Sequence, residues 1–318
     1  MADKNPQLLN IDIGAGIEAA VDWIEENLEW LLDGIAAVLE FFVDSFEGTL
    51  LWLDPYVVGI LLVLLGFWRV SVGFGIFCAA SVVLIWEMQL WPETMSTVAL
   101  VLSASVVAIL VGIPVGISMS RSDMVERLVR PVLDLMQTMP PFVYLIPAAI
   151  FFGLGKVPGA IATVVFAMPP VIRLTNLGIR QVSEEHVEAG LAFGCTPRQL
   201  LTKVQMPLAM PTIMQGVNQT IMLSLSMVVI ASMIGAGGLG NTVLTGIQRL
   251  NVGLGFEGGL GVVLIAILLD RLTQSFGDPH KGGGDDDGFL GRLKNALTGK
   301  QPDQGAQDEK TDTDAAKA

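Results

Sequence analysis

Residues 94–119 read TMSTVALVLSASVVAILVGIPVGISM, and no residue in this run carries a charge. A helix needs about 20 consecutive apolar residues to cross the hydrocarbon core of a bilayer, and this run meets that length. Of the 318 residues in the chain, 52% are hydrophobic and only 15% are charged, whereas soluble domains carry about 25% charged residues. The sequence therefore predicts an all-α protein that spans a membrane several times.

Further apolar segments flank this run, which gives about seven predicted transmembrane helices. They are residues 55–70, 72–90, 94–119, 132–152, 157–179, 211–234 and 258–276. The first two are separated only around Ser71, which favours a tight helical hairpin, with a single broken or re-entrant element as the alternative. The pattern divides the chain into four regions. These are an acidic N-terminal region (1–54), two N-terminal helices (55–90), a core transmembrane domain (91–277) and a tail (278–318).

The net charge of −13 is carried mostly by the two ends of the chain. Residues 17–46 place apolar side chains at helical spacing with acidic ones between them, which predicts an acidic amphipathic helix that packs on the protein or lies at the membrane interface. Residues 278–318 are too polar to form a core, and we expect them to be disordered. Basic residues are scattered, which argues against a nucleic acid as partner. Two histidines and two separated cysteines argue against a metal site.

The distribution of lysine and arginine predicts the orientation in the membrane, because loops that carry these residues stay in the cytoplasm. One set of loops contains Arg69, Arg121, Arg127, Arg130, Arg180, Arg198, Lys203, Arg271 and Lys281. The opposite set contains only Lys4, Lys156 and Arg249. This asymmetry places the N-terminus outside, the C-terminus inside and residues 181–207 in the cytoplasm.

Residues 181–207 form the longest hydrophilic stretch inside the membrane domain. Gly194 supplies the backbone freedom that a turn needs, Thr196 is a candidate N-cap with Pro197 at the first helical position, and Pro207 is a candidate helix stop. We therefore expect two short helices joined by a turn. A cytoplasmic hairpin of this kind offers a rigid docking surface to a soluble partner.

The same stretch resembles the EAA loop of importers of the ATP-binding-cassette (ABC) class. Glu188-Ala189-Gly190, then Gly194, then nine residues before Val204, and finally Met206 and Pro207 follow the pattern Glu-Ala-Ala, three residues, Gly, nine residues, Ile, any residue, Leu, Pro. The departures keep the size or apolar character of the pattern. Residues 133–140 (LDLMQTMP) and 232–240 (SMIGAGGLG) are similar to segments of the glycine betaine and proline betaine branch. The resemblance covers about residues 91–276.

This resemblance implies a type I ABC importer permease fold in a bacterial inner membrane, with no catalytic residue and no cofactor in this chain. It implies that the loop couples the permease to an ABC ATPase, which uses ATP and Mg and is present in two copies. The coupling residues that it implies are Glu188, Ala189, Gly190, Gly194 and Pro207. The other implied partners are a second permease copy and an extracytoplasmic binding protein, and the implied solute is glycine betaine, proline betaine or a related quaternary amine.

Proline pairs interrupt two neighbouring predicted helices and suggest a translocation path. Backbone carbonyls freed by Pro140-Pro141 and Pro169-Pro170 are tolerated in a membrane only where protein or a water-lined cavity satisfies them. Plain kinking for packing is the equal alternative. Polar side chains on the same segments, Asp134, Gln137 and Asn176, are candidates to line the path.

Other functions remain open at this point. The same architecture would serve choline, carnitine or trimethylamine N-oxide, because selectivity resides largely in the binding protein. An ion-coupled secondary transporter would call for ionisable residues buried in the membrane and for internal repeats. A membrane scaffold or sensor would use the acidic helix and the tail as its working parts.

Overall fold

A computed structural model of the chain describes residues 13–277, and every regular element in this range is helical. The helices are α1 (Ile13–Trp52), α2 (Pro55–Arg69), α3 (Val72–Glu87), α4 (Trp91–Arg121), α5 (Asp123–Thr138), α6 (Pro141–Phe152), α7 (Lys156–Ala167), α8 (Pro169–Arg180), α9 (Glu184–Ala192), α10 (Pro197–Gln199), a π-helical turn (Leu200–Gln205), α11 (Met206–Ser232), α12 (Gly238–Gln248) and α13 (Val252–Gly277). The all-α prediction is confirmed for these residues. The predicted disordered tail lies outside them.

The number of spans differs from the sequence prediction. Four helical stretches in the described part are long and apolar enough to cross a membrane: 91–121, 156–180, 197–232 and 252–276. Two bent pairs, α1–α2 and α5–α6, bring the number to six at most, and each pair bends by 101°. Residues 132–152, predicted as one span, are therefore divided. Met139 adopts an extended conformation with ψ 136°, as expected for a residue that precedes proline.

The two N-terminal apolar segments form separate helices, α2 and α3, that pack against each other. Close contact depends on small residues, since a Cβ built on Gly66 would lie 2.8 Å from Cys78 Sγ. The 15 residues of α2 and the 16 of α3 correspond to about 22–24 Å of helix, less than the roughly 30 Å of hydrocarbon. Arg69, at the end of α2, donates a 3.0 Å hydrogen bond to the Ser275 carbonyl. The ends of α2 and α13 thus share one side of the bundle, as the charge pattern requires.

Helix α4 is central and packs closely against α8. A Cβ on Gly112 would lie 2.5 Å from Val171 Cγ1, and one on Gly116 would lie 2.7 Å from the Ile172 carbonyl oxygen. Two glycines one turn apart let helix backbones approach in a membrane, where packing replaces the hydrophobic effect. Any larger residue at either position would force α4 and α8 apart.

The acidic helix α1 packs on the bundle through its C-terminal part. Leu39 and Val43 are each 2% exposed and join a cluster with alanines of α4 and α7. Glu47 accepts a 2.5 Å hydrogen bond from Lys156 Nζ at the start of α7. Trp23 and Trp30 nearer the N-terminus are 58% and 72% exposed. Packing on the protein, one of the two predicted roles, therefore holds for the C-terminal part of this helix.

Candidate functional site

The predicted cytoplasmic loop forms a hairpin of α9, a turn and the helix that starts at Pro197; we call residues 184–207 the coupling hairpin. Its first arm ends in a double hydrogen-bonded cap. Gly194 donates its N–H to the Leu191 carbonyl at 2.9 Å, and Cys195 donates its N–H to the Gly190 carbonyl at 3.0 Å. Gly194 has φ +79°, a conformation that favours glycine. The glycine of the EAA pattern therefore has a direct conformational reason to be there.

The second arm begins with a reciprocal cap, as the sequence predicted. Thr196 donates its backbone N–H to Gln199 Oε1 at 2.9 Å, and the Gln199 N–H donates to Thr196 Oγ1 at 3.4 Å. Pro197 occupies the first helical position, where its missing N–H removes no bond. Two donors that a helix start leaves unpaired are thus satisfied locally.

Gly190 allows the two arms to pack together. It is buried in the hairpin, and a Cβ at this position would lie 2.8 Å from Leu200 Cδ1 and 3.5 Å from Val204 Cγ2. The hairpin is therefore held by apolar contact between α9 and the π-helical turn. Glu188 and Ala189 are exposed.

The expectation that Pro207 stops the second arm is wrong. Residues 197–232 run as one continuous helical stretch from the hairpin into the membrane. The wider π-helical turn precedes Pro207, and Met206 donates its N–H to the Leu201 carbonyl five residues earlier. A change in helical register of this kind accommodates a proline that would interrupt an ordinary α-helix. The second arm of the hairpin and α11 consequently form one continuous helical rod, residues 197–232.

Two apolar side chains at the tip of the hairpin are exposed, and sequence reasoning missed them. Phe193 is 91% exposed and Leu191 is 53% exposed, at the C-terminal end of α9, the helix that begins with Glu184 and Glu185. A large aromatic residue that is exposed on a rigid turn is typical of the centre of a protein interface. The signal for Phe193 was available in the sequence, because it is the one aromatic residue among Phe, Tyr and Trp in residues 181–207.

Arg180 organises the base of the hairpin. Its guanidinium donates to Asp123 Oδ1 at 2.7 Å, to the Met119 carbonyl at 2.9 Å and to Asn176 Oδ1 at 3.0 Å. It also lies 3.1 Å from Glu126 Oε2. These bonds lower the pKa of the exposed Asp123 carboxyl below its usual value. One arginine thus ties neighbouring ends of α4, α5 and α8 together where the hairpin begins.

An open cavity of about 350 Å³ separates the hairpin from this base. Its lining residues are Ser120, Ile179, Arg180, Val182, Glu184, Val187, Glu188 and Gln205. Glu188 faces this gap together with Arg180, and no ion pair joins the two side chains in the described part of the chain. The gap therefore lies between α9 and the body, whereas the second arm packs on the body through Leu201, which is buried in a cluster with Ile179.

The predicted path residues do not gather into one cavity. Asn176 is 7% exposed and donates to Glu126 Oε1 at 3.3 Å, within the Arg180 network. Asp134 instead accepts a 2.6 Å bond from Arg173. Gln137 is exposed near the end of α5, Pro140 and Pro141 lie at the α5–α6 bend, and Pro169 and Pro170 are buried at the joint between α7 and α8.

Comparisons with known proteins agree with this architecture. Residues 108–277 match the family described as binding-protein-dependent transport system inner membrane component. The chain is 47% identical over 268 residues to the glycine betaine/proline betaine transport system permease protein ProW of Escherichia coli, covering 84% of this chain and 75% of the relative. It is 48% identical to the glycine betaine/carnitine transport permease protein GbuB of Listeria monocytogenes, covering 87% and 99%. An inward-facing MetNI methionine ABC transporter structure aligns with a TM-score of 0.52 at 21% identity over 62% of this chain and 96% of that one, which indicates a shared fold.

Proposed function

Because the chain belongs to the binding-protein-dependent inner membrane components of ABC importers, we propose that it is the permease subunit that carries glycine betaine, proline betaine or a related quaternary amine inward. As a member of that family it is a multi-pass inner-membrane protein and a non-catalytic subunit. The observation that supports the substrate class is 47–48% identity over most of the chain to permeases named for glycine betaine.

The partners that we propose follow from the family and from the exposed hairpin. Two ABC ATPase subunits bind and hydrolyse ATP with Mg, a second permease copy completes the membrane unit, and an extracytoplasmic protein delivers the solute. The N-terminus lies outside and the C-terminus inside, which requires an odd number of crossings, five within the range of four to six given above. The basic residues of 181–207 favour a cytoplasmic position for this loop, where it faces the ATPase. Residues 91–277 form the core permease domain in this assignment.

The coupling hairpin transmits the ATPase cycle in this proposal. Phe193 at its tip enters a groove of the ATPase, Ala189 is an exposed residue of α9, and Glu188 lies at the gap between this helix and Arg180. Gly190 lets the two arms pack closely and Gly194 forms the turn between them. Pro207 lies where the hairpin continues into α11. Closure of the ATPase dimer then moves the rod of residues 197–232 and shifts the permease from inward-open to outward-open.

The proline-containing breaks supply the deformable joints of the path. The α5–α6 bend at Pro140 and the α7–α8 joint at Pro169 and Pro170 allow short helices to tilt independently. Asp134 and Gln137 lie beside the first joint on α5. Asn176 belongs to the network at the cytoplasmic end, where it links the path to the base of the hairpin.

Reconstitution tests this function. The chain, its ATPase and its binding protein are placed in proteoliposomes with ATP inside, and uptake of labelled glycine betaine is measured against choline, carnitine and trimethylamine N-oxide. We expect uptake that requires hydrolysable ATP and persists when ionophores collapse the ion gradients. Uptake that survives an inactive ATPase but stops with ionophores would identify an ion-coupled transporter and overturn the proposal.

A further inference from the structure

The exposed face of α11 differs chemically from the exposed faces of the other apolar helices in the described part. It carries Gln215, Gln219 and Ser226, with one exposed apolar residue, Met222, between them. The corresponding exposed residues elsewhere are apolar: Ile60 and Leu64 on α2, Ile76 and Val83 on α3, Leu110 and Val111 on α4, Ile146 and Ile150 on α6, and Val263 and Ile267 on α13. Lipid chains accept the apolar faces but cannot hydrogen-bond amides. The Ser226 hydroxyl donates to the Met222 carbonyl at 3.0 Å, so it is the amides of Gln215 and Gln219 that require water or protein.

The three polar residues lie along one line of the helix; we call Gln215, Gln219 and Ser226 the polar stripe. Their spacing of four and seven residues returns to the same side of an α-helix. At 1.5 Å per residue they extend over about 16 Å, starting from the cytoplasmic third of α11. The polar stripe thus reaches from the cytoplasmic side into the interior of the membrane.

An open cavity of about 540 Å³ adjoins the polar stripe. Its lining residues are Leu174, Pro211, Met214, Gln215, Asn218, Gln219, Thr273 and Gln274. Five of these eight residues are polar and none is cationic. The cavity therefore offers hydrogen-bonding groups without positive charge.

The carboxylate of Asp270 is hydrogen-bonded to two of the residues that line this cavity. Asp270 Oδ1 accepts one bond from Asn218 Nδ2 and one from Gln274 Nε2, each at 2.8 Å. No cation of the described residues forms an ion pair with Asp270; the nearby Arg69 bonds the Ser275 carbonyl instead. Asn218 Oδ1 is buried without a hydrogen-bond partner, which is costly. The Asp270 carboxylate is therefore held by two neutral amides, and the Asn218 amide has an unused acceptor oxygen.

We propose that the polar stripe lines the aqueous path of the permease where it faces a second copy of the chain. We further propose that Asp270 and Asn218, beside the cavity, form a weak transit site for the cationic end of a zwitterionic solute. The proposal rests on the proposed function, and adds α11 to the path assigned above. A quaternary ammonium has no N–H to donate, so the Asp270 carboxylate attracts it by charge, while the amide N–H groups of Gln215 and Gln219, which line the cavity, can donate to the carboxylate of the solute. Weak binding suits a path, because the solute has to leave again.

The polar stripe also lies on the helix that carries the coupling hairpin. Residues 197–232 are continuous, so any displacement of the hairpin by the ATPase displaces Gln215 and Gln219 as well. The transit site is therefore exposed or covered in step with ATP binding.

Thiol accessibility tests the path without reference to any solute. In a Cys78→Ala, Cys195→Ser background, Gln219→Cys and Ser226→Cys are reacted in the assembled complex with a charged, membrane-impermeant methanethiosulfonate. The control variants, Leu110→Cys and Ile267→Cys, sit on apolar exposed faces. We expect reaction at 219 and 226 to be at least about tenfold faster than at the controls, and to change when a non-hydrolysable ATP analogue is added. Equal rates at all four positions would overturn the path assignment.

Uptake kinetics test the transit site. Asp270→Asn keeps the size of the side chain and removes the charge, and we expect the rate of glycine betaine uptake to fall about tenfold while the binding protein's own affinity is unchanged. Glu257→Gln on the same helix is the matched control and should transport normally. Gln219→Lys, which puts a positive charge at the cavity rim, should reduce uptake as well even if Asp270→Asn folds poorly. Normal uptake in both Asp270→Asn and Gln219→Lys would overturn the site. Absence of betaine uptake in the unmodified complex would instead refute the proposed substrate class, and the thiol result would still stand.

Discussion

Gly190 lies directly against Leu200, so that a Cβ at position 190 would come within 2.8 Å of Leu200 Cδ1. This contact is the point where the two arms of the coupling hairpin touch, and it fixes the position of Phe193 relative to α11. Leu200 Cδ1 is the end of a flexible side chain and can move slightly. The position therefore tolerates a methyl group and excludes anything larger.

The first prediction concerns the size of residue 190. Gly190→Ala should retain transport within about twofold, because Leu200 can shift and because the EAA pattern itself carries alanine there. Gly190→Leu should separate the arms and weaken ATPase binding by at least about tenfold, which corresponds to about 1.4 kcal/mol. Co-purification of the ATPase and uptake in proteoliposomes measure both effects. Similar behaviour of the alanine and leucine variants would contradict the packing argument.

The second prediction concerns the exposed tip. Phe193→Ala should leave the thermal stability of the isolated permease unchanged, because the ring is 91% exposed and loses no internal packing. It should weaken ATPase binding by about 2 kcal/mol, the size typical of an aromatic anchor at an interface. Leu250→Ala is the control, since Leu250 is 89% exposed at the opposite end of the bundle. If both variants bind the ATPase equally well, Phe193 is not the anchor.

The third prediction concerns Arg180. Arg180→Ala leaves the buried Asn176 without its charged partner and leaves Glu126 with the exposed Arg130 as its ion-pair partner, and hydrogen bonds to charged groups contribute about 1.5–3 kcal/mol each. We expect a lower melting temperature in detergent and loss of coupling between hydrolysis and uptake. Asp123→Asn should have little effect, because that carboxylate is exposed to water and surface ion pairs contribute little. A larger loss in Asp123→Asn than in Arg180→Ala would refute the assigned network.

The pKa of Asp123 sets the pH at which this pair breaks. Since the folded-state pKa is lowered, the pair is formed at neutral pH and its contribution is lost only as the pH falls below the ordinary range of an aspartate. A melting curve that changes between pH 6 and 8 would therefore have another cause.

The fourth prediction concerns topology. Cys195 is partly exposed on the coupling hairpin, whereas Cys78 is buried. A membrane-impermeant maleimide should label Cys195 in inside-out vesicles and leave it unlabelled in intact spheroplasts, with Cys195→Ser as the blank. Labelling from the outside would place the hairpin away from any cytoplasmic ATPase, and the coupling proposal would then be untenable.

Local signals in the sequence predicted the hairpin well. Gly194 and the Thr196-Pro197 start act within a few residues, and the structure forms the turn and cap that they favour. The stop at Pro207 was wrong because a π-helical turn, which has no local signature, removes the conflict between proline and the helix. The two prolines that follow Met139 signalled the bend there. The span over residues 132–152 was predicted from hydropathy, which does not show that the helix axis changes direction within an apolar segment.

Long-range contacts limited the prediction of the path. Asn176 looked like a free polar residue until the structure paired it with Glu126, 50 residues away. Asn218 and Asp270 are 52 residues apart in the sequence and meet only in the folded bundle. Gln215 and Gln219 indicate a path only because the structure exposes their side chains. Glutamines buried between helices would show the same sequence pattern.

The final prediction concerns the rod formed by residues 197–232. If the hairpin drives α11 as a rigid body, softening the joint between them should separate ATP hydrolysis from transport. Thr202 and Lys203 are exposed in the π-helical turn, so glycine at both positions removes little packing but costs about 1 kcal/mol per residue of helix stability relative to alanine. The double variant T202G/K203G should bind the ATPase and hydrolyse ATP, yet transport several-fold less solute per ATP. The matched double variant T202A/K203A, which keeps the helix stiff, should transport normally. An unchanged ratio of solute to ATP in the glycine variant would mean that the force reaches the path by another route, through the Arg180 network at the base of the hairpin.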